Sequence, residues 1–340
     1  TSTASVSAGD YDNDGDMDLF VSGRILPGYY PFLNIRSYLL KNENGKFVDA
    51  TSSDAPLLQE PGMMCEAIFC DYNNDNWLDL VMVGEYTPVV FLKNNKGKFE
   101  DQTKDLGTSE VSGWYNSICA VDIDNDNDLD FIVGNKGYNS FICARSNEPV
   151  EIFWSDLDNN GRHDFFMSYT KNGNQYPLLT MDEMVVSFPS FLSKKFTTDT
   201  SFSGKTMSEI FGEEHLKRGR LKANEFGHLL IINNGTNMTI KPLPFESQSS
   251  PITGMVIMDV NEDGFDDIVG VGNNHYTRVT HGPDDAHNGF ILVNNNGKLS
   301  YSNGKQNGFY VPGDGKSIAI IPNNNKISLL AFQNNDKTAA

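Results

Sequence analysis

Residues 117–134 read SICAVDIDNDNDLDFIVG: an apolar run, a nine-residue loop carrying five Asp, and a second apolar run. The loop recurs four more times, as DYDNDGDMD from Asp10, DYNNDNWLD from Asp71, DLDNNGRHD from Asp156 and DVNEDGFDD from Asp259. In each copy the first, third, fifth and ninth residues are Asp or Asn, so four hard oxygen ligands can converge on one point, the ligand chemistry that calcium takes. The sixth residue is always Gly or Asn (Gly15, Asn76, Asn127, Gly161, Gly264), the types that enter a left-handed turn at least steric cost. The seventh varies without pattern, as expected where only a backbone carbonyl reaches a metal. The expected metal residues are therefore Asp10, Asp12, Asp14, Asp16 and Asp18; Asp71, Asn73, Asp75, Trp77 and Asp79; Asp122, Asp124, Asp126, Asp128 and Asp130; Asp156, Asp158, Asn160, Arg162 and Asp164; and Asp259, Asn261, Asp263, Phe265 and Asp267. About five Ca2+ ions are implied.

An EF-hand shares the early spacing but needs a Glu at the twelfth loop position and flanking helices. The twelfth positions here are Val21, Met82, Val133, Met167 and Gly270, and the exits LFVSG, LVMVGE, FIVGN, FFMSY and IVGVG read as strands. A second element follows some loops: KNENGKF at Lys41, KNNKGKF at Lys93 and VNNNGKL at Val293 place Asn and Gly between apolar runs, the pattern of a hairpin turn. One unit thus reads as strand, acidic loop, strand, strand, Asn-Gly turn, strand, which is a four-stranded propeller blade.

These loops resemble the FG-GAP or VCBS repeats of integrin-α-type calcium-binding β-propellers. More narrowly, SGRILPGYYP, KNENGKFVDAT, SFPSFLSKKF, KPLPFESQSSP and GFYVPGD are similar to segments of the bacterial relatives of cartilage acidic protein that accompany an ASPIC/UnbV module. The resemblance implies an all-β propeller of about seven blades with calcium bound between strands. Blades are expected near 4–51, 65–103, a compressed 117–147, 150–245, 254–301 and 316–334. The last has two strands, SIAII and ISLLAF, and no acidic loop. Remaining strands are expected upstream of Thr1, so the chain is expected to be attached to upstream domains. In domain terms, 1–175 carries four loops, 176–225 is a helical insertion and 226–340 completes the propeller.

The insertion is read from a change of period: Met184, Val185, Phe188, Leu192 and Phe196 follow helical spacing, and Thr206 with Glu209 reads as a capping box. Seven basic residues fall there against seven acids. The whole chain carries 45 acidic and 26 basic residues, net −19. Seventeen Asp occupy the side-chain ligand positions, and five Ca2+ would bring the net charge to about −9. With no basic stripe, nucleic acid is not an expected partner. No apolar run reaches the ~18 residues of a membrane span. The four cysteines lack zinc-like pairing and read as buried thiols.

Two loops carry candidate ligand-binding residues: Arg24, Tyr29, Tyr30 and Arg36 in RILPGYYPFLNIR, and His275, Arg278 and His281 in NNHYTRVTHGPDDAH. The second also offers His287, Asp284 and Asp285 for a transition metal. The function expected is a calcium-stabilised binding module recognising a protein or glycan at a cell surface, extracellular or periplasmic, and associated with the outer membrane if bacterial. The alternative is a polysaccharide lyase or lectin-like propeller, with Arg24, Arg36, Arg278 or His281 supplying the chemistry. No nucleophile elbow, phosphate loop or His-Glu-x-x-His motif appears.

Overall fold

Alternation of side chains explains how the apolar runs of this chain come to be buried on both faces. The computed structural model describes residues 2–26, 30–31, 35–193, 195–277, 281–323 and 326–334. Strands β1 (Ser2–Gly9), β2 (Asp18–Ile25), β3 (Tyr38–Glu43) and β4 (Lys46–Asp49) form a first antiparallel sheet in that order. A second contains β5 (Met63–Cys70), β6 (Asp79–Pro88), β7 (Val90–Asn94) and β8 (Phe99–Asp101), with β9 (Ser112–Trp114) pairing the far end of β6. In β6, Leu80 and Met82 pack with Tyr11, Phe20 and Leu39 of the first sheet, while Val81 and Val83 pack with Ile118, Phe131 and Ile231 of the third. A strand sandwiched in this way reads as a continuous apolar run.

The third sheet departs from the expected blade boundaries. β10 (Ser117–Val121) and β11 (Asp130–Gly134) pair as read, but the chain then runs through β12 (Val150–Ser155), β13 (Asp164–Lys171), β14 (Asn174–Pro177) and β15 (Arg220–Ala223). It returns as β16 (Leu229–Asn233) and β17 (Met238–Pro242), and β11 pairs with β16 in the register Phe131↔Ile231, Ile132↔Leu230. The sheet is therefore β10-β11-β16-β17, not a compressed blade over 117–147. Leu229–Ile232 is apolar at every position and needs neighbours on both faces. The third sheet has those neighbours; the polar NQYP of β14 does not need them. β18 (Ile252–Met258), β19 (Asp267–Gly272), β20 (Phe290–Asn295) and β21 (Lys298–Asn303) form a fourth sheet, and β22 (Gly315–Asn323) with β23 (Lys326–Gln333) a two-stranded one.

Residues 1–141 and 226–340 make one compact unit and 142–225 a second. Within the first, the leading strands pack in chain order, β1 on β5, β5 on β10, β10 on β18 and β18 on β22. Consecutive four-stranded antiparallel sheets stacked through their leading strands are a β-propeller-like architecture. The turn residues form as read, with Asn44 and Gly45, Lys96 and Gly97, and Asn296 and Gly297 all at positive φ, as a two-residue hairpin requires.

In the second unit the sheet order is β14-β13-β12-β15, so its last strand returns beside its first and the blade order is not kept. The expected fourth blade over 150–245 thus divides between the two units. Five short helices follow: α1 (Met181–Ser187), α2 (Pro189–Leu192), α3 (Asp199–Phe202), α4 (Met207–Phe211) and α5 (Glu213–Leu216). Met184, Phe188, Leu192 and Phe196, the residues at helical spacing, are buried against Phe153 and Phe166 of the sheet. Pro189 divides the run into two helices. The Thr206–Glu209 capping box opens α4, and a second, Thr180–Glu183, opens α1. All four cysteines are free, with burial pushing each thiol up. No helix among the described residues is long and apolar enough to cross a membrane.

Candidate metal centres

The five acidic loops fold into one hydrogen-bonded frame. The first-position carboxylates of Asp10, Asp71, Asp122, Asp156 and Asp259 each accept the backbone N–H groups of positions five and six, at 2.7–3.1 Å. The position-five side chain then accepts the N–H of position seven at 2.8–3.0 Å. The variable seventh residues (Asp16, Trp77, Asp128, Arg162, Phe265) are held by their backbone, which is why any side chain is tolerated there. One oxygen of the ninth residue accepts the N–H of position two at 2.9–3.3 Å.

Two parts of this frame go beyond the ligand spacing of the loops. Position four is left-handed in every loop: Asn13, Asn74, Asn125, Asn159 and Glu262 have φ between 57° and 59°. Asn accepts that conformation cheaply and Glu does not. Glu262→Asn is expected to stabilise the protein by about 0.5–1 kcal/mol, read as a raised midpoint in urea; an unchanged or lowered midpoint would show that Glu262 is not strained.

The second part is an asparagine at the end of the third strand. The other oxygen of Asp18, Asp79, Asp130 and Asp267 accepts the N–H of Asn42, Asn94, Asn233 and Asn294 respectively, at 2.7–2.8 Å. Each of these asparagines also accepts, through its side-chain oxygen, the N–H of the turn glycine beside it. Three of them reach the preceding loop. The amide of Asn94 donates to the carbonyl of Tyr11 at 2.6 Å, that of Asn233 to Tyr72 at 2.8 Å and that of Asn294 to Ile123 at 2.8 Å. Each of these carbonyls belongs to position two of the preceding sheet's loop, so successive loops of the first unit are tied side chain to backbone. The recurrence of Asn before each turn glycine was the available signal. The 156–164 loop, in the second unit, carries the frame with no such third-strand asparagine bonded to it among the described residues.

The oxygens converge. Asp10, Asp12 and Asp18 each bring an oxygen within 4.8 Å of the others, as do Asp122, Asp124 and Asp130, and Asp156, Asp158 and Asp164. At position three, Asp12 Oδ1, Asn73 Oδ1 and Asp124 Oδ1 are buried and have no hydrogen-bond partner, the same atom in three loops. A repeated orphan acceptor among carboxylates fits a cation. The ninth-position carboxylates of Asp18, Asp79, Asp130 and Asp267 are fully buried and that of Asp164 is half-buried; burial together with the neighbouring loop acids pushes Asp79 up to about 7 and Asp130 to about 6 against the pull of their N–H partners. Lys41 pairs with Asp12 and lies 3.4 Å from Asp14, and Lys93 lies 3.2 Å from Asp75, partly offsetting the charge.

The candidate ligand-binding residues are not gathered into one site. Arg24 and the Tyr30 hydroxyl both bind the buried carboxylate of Glu85, the hydroxyl at 2.6 Å. Arg36 pairs with Asp49 at 2.6 Å and lies over the Tyr38 ring. Tyr29 and Arg278 lie outside the described residues. His275 is exposed, His281 stacks on Phe141 at 4.0 Å, and Asp284 binds Lys136 at 2.8 Å. His287 is buried 6.4 Å from His228. Burial holds both rings far below the usual value, His228 at about 3 and His287 at about 4, so both are neutral. Among the described residues, no group of three metal-ligating side chains includes these histidines.

Residues 71–133, spanning the second and third loops, match the model of the FG-GAP-like repeat. No curated protein matches the chain by sequence. Among solved structures it is similar to the V. cholerae biofilm matrix protein Bap1, at 10% identity and a TM-score of 0.32, covering 97% of this chain and 65% of that one. It is also similar to an Agrocybe aegerita lectin that recognises non-reducing terminal N-acetylglucosamine (13% identity, TM-score 0.28, 89% of this chain and 67% of that one). A third is Chaetomium thermophilum Sqt1 (11%, 0.33, 97% and 80%). The chain thus spans less than two thirds of Bap1.

Proposed function

We propose that the chain is a calcium-stabilised β-propeller-like binding module that works outside the cell or in the periplasm and recognises a protein or glycan at a cell surface. The observation carrying this reading is the one loop frame built five times, with its position-three oxygen left as an orphan acceptor in three copies. Ca2+ supplies positive charge and oxygen coordination where carboxylates would otherwise repel. Positions one, three, five and nine offer side-chain oxygens and position seven its carbonyl. Each loop joins two paired strands, so the ion's work is to hold a sheet together, with binding coupled to folding. Loops of this type suit a compartment where calcium is abundant.

A binding module is favoured over a lyase by the state of the candidate groups. A lyase needs a general base within hydrogen-bond reach of a bound uronate. Arg24 is committed to Glu85, Arg36 to Asp49, and His281 to the Phe141 ring.

Calorimetric titration of Ca2+ into metal-free protein tests the reading. About five sites are expected, falling by one in Asp124→Ala. Heat equivalent to no more than one site would sink calcium stabilisation. Incubation with uronate polymers is expected to yield no unsaturated product; its appearance would establish the lyase instead.

A further inference from the structure

We infer that the second unit carries its own binding site, a cleft that takes an anionic, carboxylate-bearing oligosaccharide. This rests on the reading of the protein as a binding module and names a ligand class for it. The cleft, of about 540 Å³, lies between the β13–β14 hairpin and the segment around α3. Tyr169 and Tyr176 are directly paired across the two strands, with ring centroids 5.9 Å apart, and both rings are half-buried. Half-exposed tyrosines on a strand pair give a firm apolar surface with polar edges, the chemistry that stacks on a sugar ring. The lining also includes the buried Phe202 and the exposed Asn172, which sits at positive φ in the hairpin turn.

Charge decides the ligand class. Lys171 and Lys205 both line the cleft, in a protein of net charge −19. Lys205 is bound to Glu209 at 2.9 Å, but Lys171 is exposed and makes no ion pair among the described residues. The lining also holds one acid, Asp199, so with Lys205 offset by Glu209 the cation available to a ligand is Lys171. An open cleft with an aromatic wall, an amide and an uncommitted ammonium is matched by a chain of sugars bearing carboxylates. A fully apolar ligand would leave Lys171 and Asn172 unused.

The test is calorimetric titration of the whole calcium-loaded protein with hexameric oligogalacturonate, with cellohexaose as the neutral counterpart and poly-glutamate as the non-sugar anion. The oligogalacturonate is expected to bind, about fivefold more weakly in Lys171→Gln and about tenfold more weakly in Tyr176→Ala, with Lys46→Gln on the first unit unchanged. Cellohexaose is expected to bind more weakly than oligogalacturonate and to be indifferent to Lys171→Gln. Lys171 is exposed, so its variant tests the site even where Tyr176→Ala disturbs the sheet. Oligogalacturonate binding that persists unchanged in both variants would overturn the cleft while leaving a glycan-binding module in place. No binding of oligogalacturonate, with the calcium titration as expected, would also overturn it and point the module towards a protein. Poly-glutamate bound as tightly as the sugar would overturn the saccharide assignment.

Discussion

Chelating calcium is expected to lower the melting temperature of this protein by at least about 10 °C at neutral pH. At free calcium a hundredfold above Kd, each site contributes about 2.7 kcal/mol, so the four loops of the first unit together contribute on the order of 10 kcal/mol. That is comparable with the entire stability of an ordinary domain. The same change has a pH signature. In metal-free protein Asp79 sits at about 7 and Asp130 at about 6, above the ordinary carboxylate value near 4. Folding is favoured while they are protonated, so this contribution is complete below about pH 4 and lost as pH rises through 6 to 7. Chelated protein is therefore expected to melt higher at pH 5.5 than at pH 8, although both values lie in a range where most proteins differ little. Calcium requires the carboxylates ionised, so loaded protein is expected to melt no lower at pH 8 than at pH 5.5. Scanning calorimetry at both pH values, with calcium and with chelator, reads all four states. Coincident melts with and without calcium would show that the loops are ordinary solvated turns.

Asn94→Ala is expected to cost about 3 kcal/mol, and Asn42→Ala about 1 kcal/mol. The contrast follows from position. Asn94 is 1% exposed, and its side chain serves three backbone groups, the N–H of Gly97 and the carbonyls of Leu78 and Tyr11. Truncation leaves buried groups of two sheets unpaired. Asn42 bonds the carbonyl of Met17 and the N–H of Gly45, both near solvent, and makes no bond to another acidic loop among the described residues. Denaturant unfolding of both variants measures the difference; equal costs would show that the bond to Tyr11 contributes nothing. Because that bond ends on the Asp10–Asp18 loop, Asn94→Ala is also expected to weaken calcium at two loops, its own and the one before it. Asn294→Ala should repeat the effect through Ile123.

The sequence was sufficient wherever the physics is local. Nine consecutive residues set the curl of each loop: the first-position acid finds its N–H partners four and five residues away, and Gly or Asn supplies the left-handed sixth position. Asn-Gly turns and the Thr206–Glu209 capping box depend on similarly short separations and form as expected, whereas the helical spacing from Met184 gives two short helices, divided at Pro189 and ending at Leu192, with Phe196 beyond them. Tertiary structure decided which strands meet. Ile231 pairs with Phe131 across the whole second unit, because a continuous apolar strand is stable only where both faces are covered, and that depends on neighbouring sheets. For the same reason the 156–164 loop, indistinguishable from the others by spacing, lies in a sheet of a different order. The asparagine ties between loops, the commitment of Arg24 to Glu85, and the pairing of Tyr169 with Tyr176 beside Lys171 likewise needed the fold. A nine-residue loop carries its own partners within it; a bond to another sheet, or the lining of a cleft, exists only once distant segments have been packed together.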